Sequence, residues 1–79
     1  METYQAARQR LLREFAAMNF KTSKPDLKVP WVEFPLSNGK IKLYFKPQAM
    51  YLLGHSLFLD MRGMSAQDIL ARIRREVGA

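Results

Sequence analysis

The residues best suited to chemistry lie in one alternating stretch, residues 31–46, which read WVEFPLSNGKIKLYFK. Successive side chains of a β-strand point to opposite faces, so this stretch divides into two faces when it forms a hairpin. One face is apolar, and the other combines aromatic rings with basic groups. Rings that stack on bases beside cations that contact phosphates are typical of single-stranded nucleic-acid binding. The predicted binding residues, the last two from a third strand, are Trp31, Lys42, Tyr44, Lys46, Phe58 and Arg62.

The sequence leaves two other uses of the aromatic and basic face open. Its rings suit a protein–protein interface, in a homodimer or in a small inhibitor or adaptor, because a small domain gains core by association. Alternatively, residues 47–55 fold over the face and bury the rings. The leading prediction is a non-enzymatic module that binds RNA or single-stranded DNA. The alternative is a protein-interaction module that uses the same face against an acidic protein surface.

Catalytic signatures are missing from the sequence. It has no Gly-rich phosphate loop, no nucleophile elbow and no helix with two metal ligands four residues apart. His55 is the one side chain that ordinarily titrates near neutral pH, and a small ribonuclease could use it as a general base. A lone histidine without a predicted partner is more typical of a loop residue. We therefore expect no enzyme activity, no metal and no cofactor.

Composition points to a small basic domain with an anionic partner. The 79 residues predict one domain, residues 1–79, and 13 lysines and arginines against 7 acidic residues give a net charge of +6. Cysteine is absent, which excludes disulfides and thiolate metal sites. No apolar run approaches the ~20 residues of a membrane span, and a signal-peptide pattern is missing. We expect a soluble, cytoplasmic protein that does not bind membranes.

The turn signal Asn38-Gly39 divides the central stretch into two strands. A loop of four residues, 37–40, is the preferred turn because it places Pro35, which has no N–H, in a non-hydrogen-bonded pair. Pro35 also predicts that the first strand is an edge of the sheet. The predicted pairs on the apolar face are Leu36 with Ile41, Phe34 with Leu43, and Val32 with Phe45.

Helical periodicity predicts one helix near each end of the chain. The first helix follows Thr3 as its N-cap and runs to about Asn19. The last helix begins at Ser65, which forms a capping box with Asp68, and ends at Gly78. Both helices carry a single apolar stripe, so each can bury one side against the sheet.

Between the hairpin and the last helix, the sequence predicts a short helical link and a third strand. Pro47 opens the link and Gly54 ends it. Residues 56–62 alternate again, with Leu57, Leu59 and Met61 toward the core. The predicted fold class is therefore α+β, in the order helix, two strands, short helix, strand, helix. Its antiparallel sheet has three strands in spatial order 1-2-3, with the N- and C-terminal helices packed on one face.

This order of elements resembles the layout of the double-stranded RNA-binding domain and of the related small toxin ribonucleases. The last helix begins SAQDILA, without the lysine cluster of the RNA-binding family. His55 precedes the third strand and lies outside the Gly-Ser-His setting of the toxins. The resemblance therefore concerns the layout and assigns no role to any residue of this chain.

Overall fold

The computed structural model describes residues 2–24, 26–54 and 58–78, with Phe58 described by its backbone alone. The helices in this part of the chain are α1 (Tyr4–Ala17) and α2 (Ala66–Val77). The strands are β1 (Lys21–Thr22), β2 (Trp31–Leu36), β3 (Gly39–Phe45), β4 (Met50–Leu52) and β5 (Phe58–Leu59). They form one antiparallel sheet in the order β1-β2-β3-β4-β5. The α+β class is confirmed, but the sheet has more strands than predicted.

Both helices begin at the predicted N-caps. The Thr3 hydroxyl accepts a hydrogen bond from the N–H of Ala6 at 3.0 Å. Ser65 and Asp68 form the predicted capping box, in which each side chain accepts from the backbone N–H of the other residue. These bonds satisfy N–H groups that have no partner within a helix, so the local sequence alone determines where each helix starts.

The two helices end by the same backbone device. α1 stops two residues before the predicted Asn19, which takes a left-handed conformation with φ of 67°. The chain then folds back against the last turn of α1, where the N–H of Phe20 donates to the carbonyl of Phe15 at 3.1 Å. α2 ends at Gly78, where φ is 72°, as the sequence predicts. Left-handed residues of this kind terminate many helices, and glycine and asparagine tolerate them best.

The β2–β3 hairpin closes over two residues, 37–38, and the predicted four-residue loop is wrong. Each strand partner is displaced by two positions, so Phe34 faces Ile41 and Val32 faces Leu43. A displacement by an even number leaves every side chain on its predicted face. The tighter turn also suits Pro35, which has no N–H. Hydrogen-bonded and non-hydrogen-bonded pairs alternate along the ladder from the closing pair, and Pro35 falls in a non-hydrogen-bonded pair, where no N–H is needed.

Residues 50–52 form β4, so the predicted helical link is wrong. The N–H of Lys46 donates to the carbonyl of Ala49 at 2.8 Å and closes a turn after β3. Met50 and Leu52 are fully buried, with Tyr51 between them on the other face. Apolar runs this short fit a helix or a strand equally well, and here packing against the core selects the strand. Residues 50–52 thus extend the sheet, and Trp31, Tyr44 and Tyr51 stay partly exposed on its open face.

The two outer strands are also corrections to the predicted sheet. β1 lies between the predicted first helix and the hairpin, where no strand was predicted, and it pairs with β2 at Val32 and Glu33. The first hairpin strand is therefore not an edge, although β1 stops before reaching Pro35. β5 is shorter than the predicted strand over residues 56–62, of which residues 56 and 57 lie outside the described part of the chain. The sheet thus has five strands where three were predicted.

One face of the sheet and the apolar stripes of both helices form a single core. An edge-to-face cluster of Phe15, Phe20 and Phe34 joins α1 to β2, with ring centroids 5.0–5.9 Å apart. Such ring pairs add a little to the gain from burying apolar area. The apolar stripes of the helices and the apolar face of the hairpin were predicted to be buried together, and eight of their side chains are buried: Leu11, Phe15, Val32, Phe34, Leu43, Phe45, Ile69 and Ile73.

An ion-pair network connects α1 to the start of α2. The Arg10 guanidinium donates to Glu2 at 2.7 and 3.0 Å and to Glu14 at 2.7 Å. Glu14 in turn accepts the N–H of Ala66 at 2.9 Å, and Glu2 accepts the N–H of Gly63 at 3.2 Å. The Arg10 bond lowers the pKa of Glu2, and the Ala66 bond is the main cause of the lowered pKa of Glu14. In its ionised form Glu14 therefore joins α1 to the start of α2, and Glu2 joins the N-terminus and Arg10 to the segment before α2.

Phe45→Ala tests the core, because Phe45 is fully buried on β3, the middle strand of the sheet. We expect a loss of about 3–5 kcal/mol in the free energy of unfolding, measured by urea denaturation. Lys28→Ala serves as the control, since Lys28 is exposed in the segment between β1 and β2, and its replacement should change stability by less than about 0.5 kcal/mol. A loss below about 1 kcal/mol for Phe45→Ala contradicts the described packing.

Arg10→Met tests the network through its dependence on pH. Because the folded-state pKa values of Glu2 and Glu14 lie below their ordinary 4.5, the stabilisation is fully present above that pH. It is lost as the pH falls through the lowered values. We expect the variant to have a lower urea midpoint at neutral pH and to approach the wild type in acid. Arg13→Met, exposed on the same helix, is the control. A deficit independent of pH contradicts this account.

Candidate nucleic-acid interface

Aromatic residues of neighbouring strands lie directly opposite one another on the open face. Trp31 of β2 faces Tyr44 of β3, which faces Tyr51 of β4, and the backbone pairing continues to Phe58 of β5. We call Trp31, Tyr44 and Tyr51 the aromatic row, since Phe58 is described by its backbone alone. Trp31, Tyr44 and Tyr51 are partly exposed, while their neighbours along each strand point into the core. Since adjacent strands are about 4.8 Å apart, the row crosses the sheet at right angles to the strands.

Two lysine side chains lie against rings of the aromatic row. The Nζ of Lys42 is 4.1 Å from the centroid of the Trp31 ring, and the Nζ of Lys46 is 4.8 Å from that of Tyr51. Each is a cation–π contact, worth about 0.5–1 kcal/mol at an exposed site. The face therefore places positive charge beside flat apolar surfaces, which is the combination predicted from the sequence.

The backbone around Trp31 is held by bonds on both sides. Its N–H donates to the Ser23 hydroxyl at 2.9 Å, and its carbonyl accepts the N–H of Ser23 at 2.9 Å. On the other side, the N–H of Phe45 donates to the carbonyl of Pro30 at 2.8 Å. Position 31 is thus fixed between β1 and β3, so the start of the row has a defined place on a rigid sheet.

Glu33 is an acidic residue within this basic face. It lies two residues from Trp31 on β2, directly between Lys21 of β1 and Lys42 of β3. The Nζ of Lys40 is 3.8 Å from its Oε2, and the side chain is 14% exposed. The open face is therefore not uniformly positive, and a carboxylate sits beside the ring at one end of the row.

Arg62, the sixth predicted binding residue, is engaged beside α1. Its guanidinium bonds the Asp60 carboxylate at 2.8 Å and lies 4.0 Å from the centroid of the Tyr4 ring. The bonds from Arg62 lower the pKa of Asp60. Arg62 therefore takes part in contacts between α1 and the segment after β5. The four residues predicted on β2 and β3 do lie together on the open face.

Tyr51 was missed by sequence reasoning because it fell in the predicted helical link. The alternation of Met50, Tyr51 and Leu52 matches a strand, but a run of three residues fits a helix equally well. His55, the candidate general base, lies outside the described residues.

No family model, curated protein or solved structure matches this chain. Within the described residues, no cluster of histidine and acidic side chains is able to hold a metal ion. Nor does that part of the chain contain a helix with the length and apolar character needed to cross a bilayer. The function therefore has to be argued from the open face itself.

The fluorescence of Trp31 reports on this face, since the chain has a single tryptophan. The ammonium of Lys42 attracts anions to the ring, so we expect iodide to quench the fluorescence more strongly than caesium at low ionic strength. Lys42→Met should make quenching by iodide and quenching by caesium more nearly equal. Arg72→Met removes the same charge from the exposed side of α2 and should have a much smaller effect. An equal change in both variants contradicts a local effect of Lys42.

Proposed function

We propose that the protein is a non-enzymatic module that binds single-stranded nucleic acid, RNA or DNA, on the open face of its sheet. The observation that carries the proposal is the alignment of Trp31, Tyr44 and Tyr51 across three strands with lysines against two of the rings. Bases stack on such rings, and the adjacent ammonium groups contact phosphates. A sheet of this kind holds roughly two or three bases.

The lysine contacts do not block stacking. A cation–π contact at an exposed site contributes about 0.5–1 kcal/mol. Stacking of a base on an aromatic side chain contributes about 1–3 kcal/mol, so a base can displace the ammonium of Lys42 from the Trp31 ring. The displaced lysine is then available to a phosphate. The same side chain thus covers the ring in the free protein and contacts the backbone of the ligand in the complex.

The charge of the whole chain supports the same partner. A net charge of +6 on 79 residues attracts polyanions and speeds their encounter with the face. Phosphate contacts release counterions, so affinity should fall steeply with salt. A protein–protein interface, in a homodimer or against an acidic partner, is the competing use of this face. Sedimentation distinguishes a homodimer from a nucleic-acid-binding monomer. A dimer formed through this face dissociates on dilution, and oligonucleotides that bind the same face should dissociate it as well.

Titration of Trp31 fluorescence with oligonucleotides of roughly eight nucleotides tests the proposal. We expect log K to fall linearly with log salt, with a slope of about −0.7 per phosphate contact on single strands. Lys42→Ala and Lys46→Ala should each make the slope shallower. Tyr44→Ala or Tyr51→Ala should weaken binding by about 1–3 kcal/mol and leave the slope unchanged.

Matched variants separate stacking and local contact from diffuse attraction. Tyr44→Phe keeps the ring and should retain the affinity that Tyr44→Ala loses. Arg72→Ala removes one charge from the opposite side of the molecule and should change the slope less than Lys42→Ala. If Arg72→Ala and Lys42→Ala act equally and the tyrosine variants bind normally, the attraction is diffuse and the site is wrong. Absence of binding at low salt rejects the proposal in favour of a protein partner.

A further inference from the structure

Glu33 stands out on the open face because a carboxylate repels the phosphates that the surrounding lysines attract. Its Cα lies about 6.6 Å from that of Trp31, since alternate residues of a strand share a face at that spacing. A base stacked on the Trp31 ring is of similar width, so its edge reaches toward Glu33. The carboxylate is therefore placed where it meets the edge of a base.

The oxygens of Glu33 retain acceptor capacity. Lys40 is its ion-pair partner at 3.8 Å, beyond hydrogen-bond distance, and Lys21 and Lys42 face it through the strand pairing. In the part of the chain that the structure describes, the carboxylate accepts no hydrogen bond. A carboxylate can accept bonds at both oxygens, so Glu33 retains acceptors on the face that carries Trp31.

We infer that Glu33 gives the interface a preference for guanine, an inference that rests on the proposed function. Guanine carries two adjacent donors on its Watson–Crick edge, N1–H and the N2 amino group, and these match the two oxygens of a carboxylate. Adenine and cytosine present a single amino group on that edge. Thymine and uracil present N3–H between two carbonyl oxygens, which the carboxylate repels. The preference therefore follows from the number of donors and the repulsion of acceptors.

Single-base substitution in a short oligonucleotide provides the test. An oligothymidylate of about eight nucleotides is compared with the same strand carrying one central guanine, adenine, cytosine or inosine. We expect the guanine strand to bind about tenfold more tightly than oligothymidylate, since paired donor contacts of this kind discriminate between bases to that extent. Inosine, which keeps N1–H but lacks the N2 amino group, should lose most of this preference.

Glu33→Gln assigns the effect to the residue. The variant keeps the size of the side chain but replaces one acceptor by a donor, so the guanine preference should disappear. It also removes one negative charge from the face, so every strand should bind somewhat more tightly. Glu76→Gln makes the same charge change on the exposed side of α2 and should keep the guanine preference.

Any other result contradicts the base preference, the role of Glu33 or the proposed function. Equal binding of all strands by the wild type rejects the base preference and leaves the proposed function standing. A guanine preference that survives in Glu33→Gln rejects Glu33 as its source. A uniform gain in affinity in Glu33→Gln, with the preference unchanged, means that the residue only neutralises lysines. Absence of binding to every strand rejects the proposed function and this inference together.

Discussion

The pairing of β2 with β3 is the constraint on which the rest of the structure depends. It is the longest ladder in the sheet, and it places Val32 opposite Leu43 on the core side and Trp31 opposite Tyr44 on the open side. Both helices pack against the core-side residues of these strands, and the proposed binding face consists of the residues on the open side. Because the two sets alternate along the same strands, core packing holds the rings of the open face in position.

The sequence predicted the faces of this hairpin correctly but not its register. Alternation determines which side chains share a face, and it is insensitive to a displacement by two residues. The four-residue loop was preferred because it keeps Pro35 out of a hydrogen-bonded pair, and the observed two-residue loop, at 37–38, does the same. The composition of the open face is unaffected by the error for the same reason, since Lys42 and Tyr44 share a face with Trp31 in both registers.

β1 and β4 could not be predicted for a different physical reason. Each is only two or three residues long, too short for a periodic signal, and each exists because a longer neighbour offers unpaired backbone groups. The helix ends, by contrast, were predicted closely because caps depend on a few adjacent residues such as Ser65 and Asp68. Tyr51 joined the candidate site only through β4, so its role depended on long-range pairing that no local pattern contained.

The open face follows from the size of the chain. Two helices can cover one side of a small sheet, and the other side must consist of residues that favour strands and still tolerate water. Aromatic residues meet the first condition, and lysine side chains that lie along the rings shield part of their apolar surface. A lysine can leave the ring easily, because its ammonium group remains solvated whether it lies over a ring or beside a phosphate. A face that is stable without a ligand is thereby also one from which a stacked base can displace the lysines at little cost.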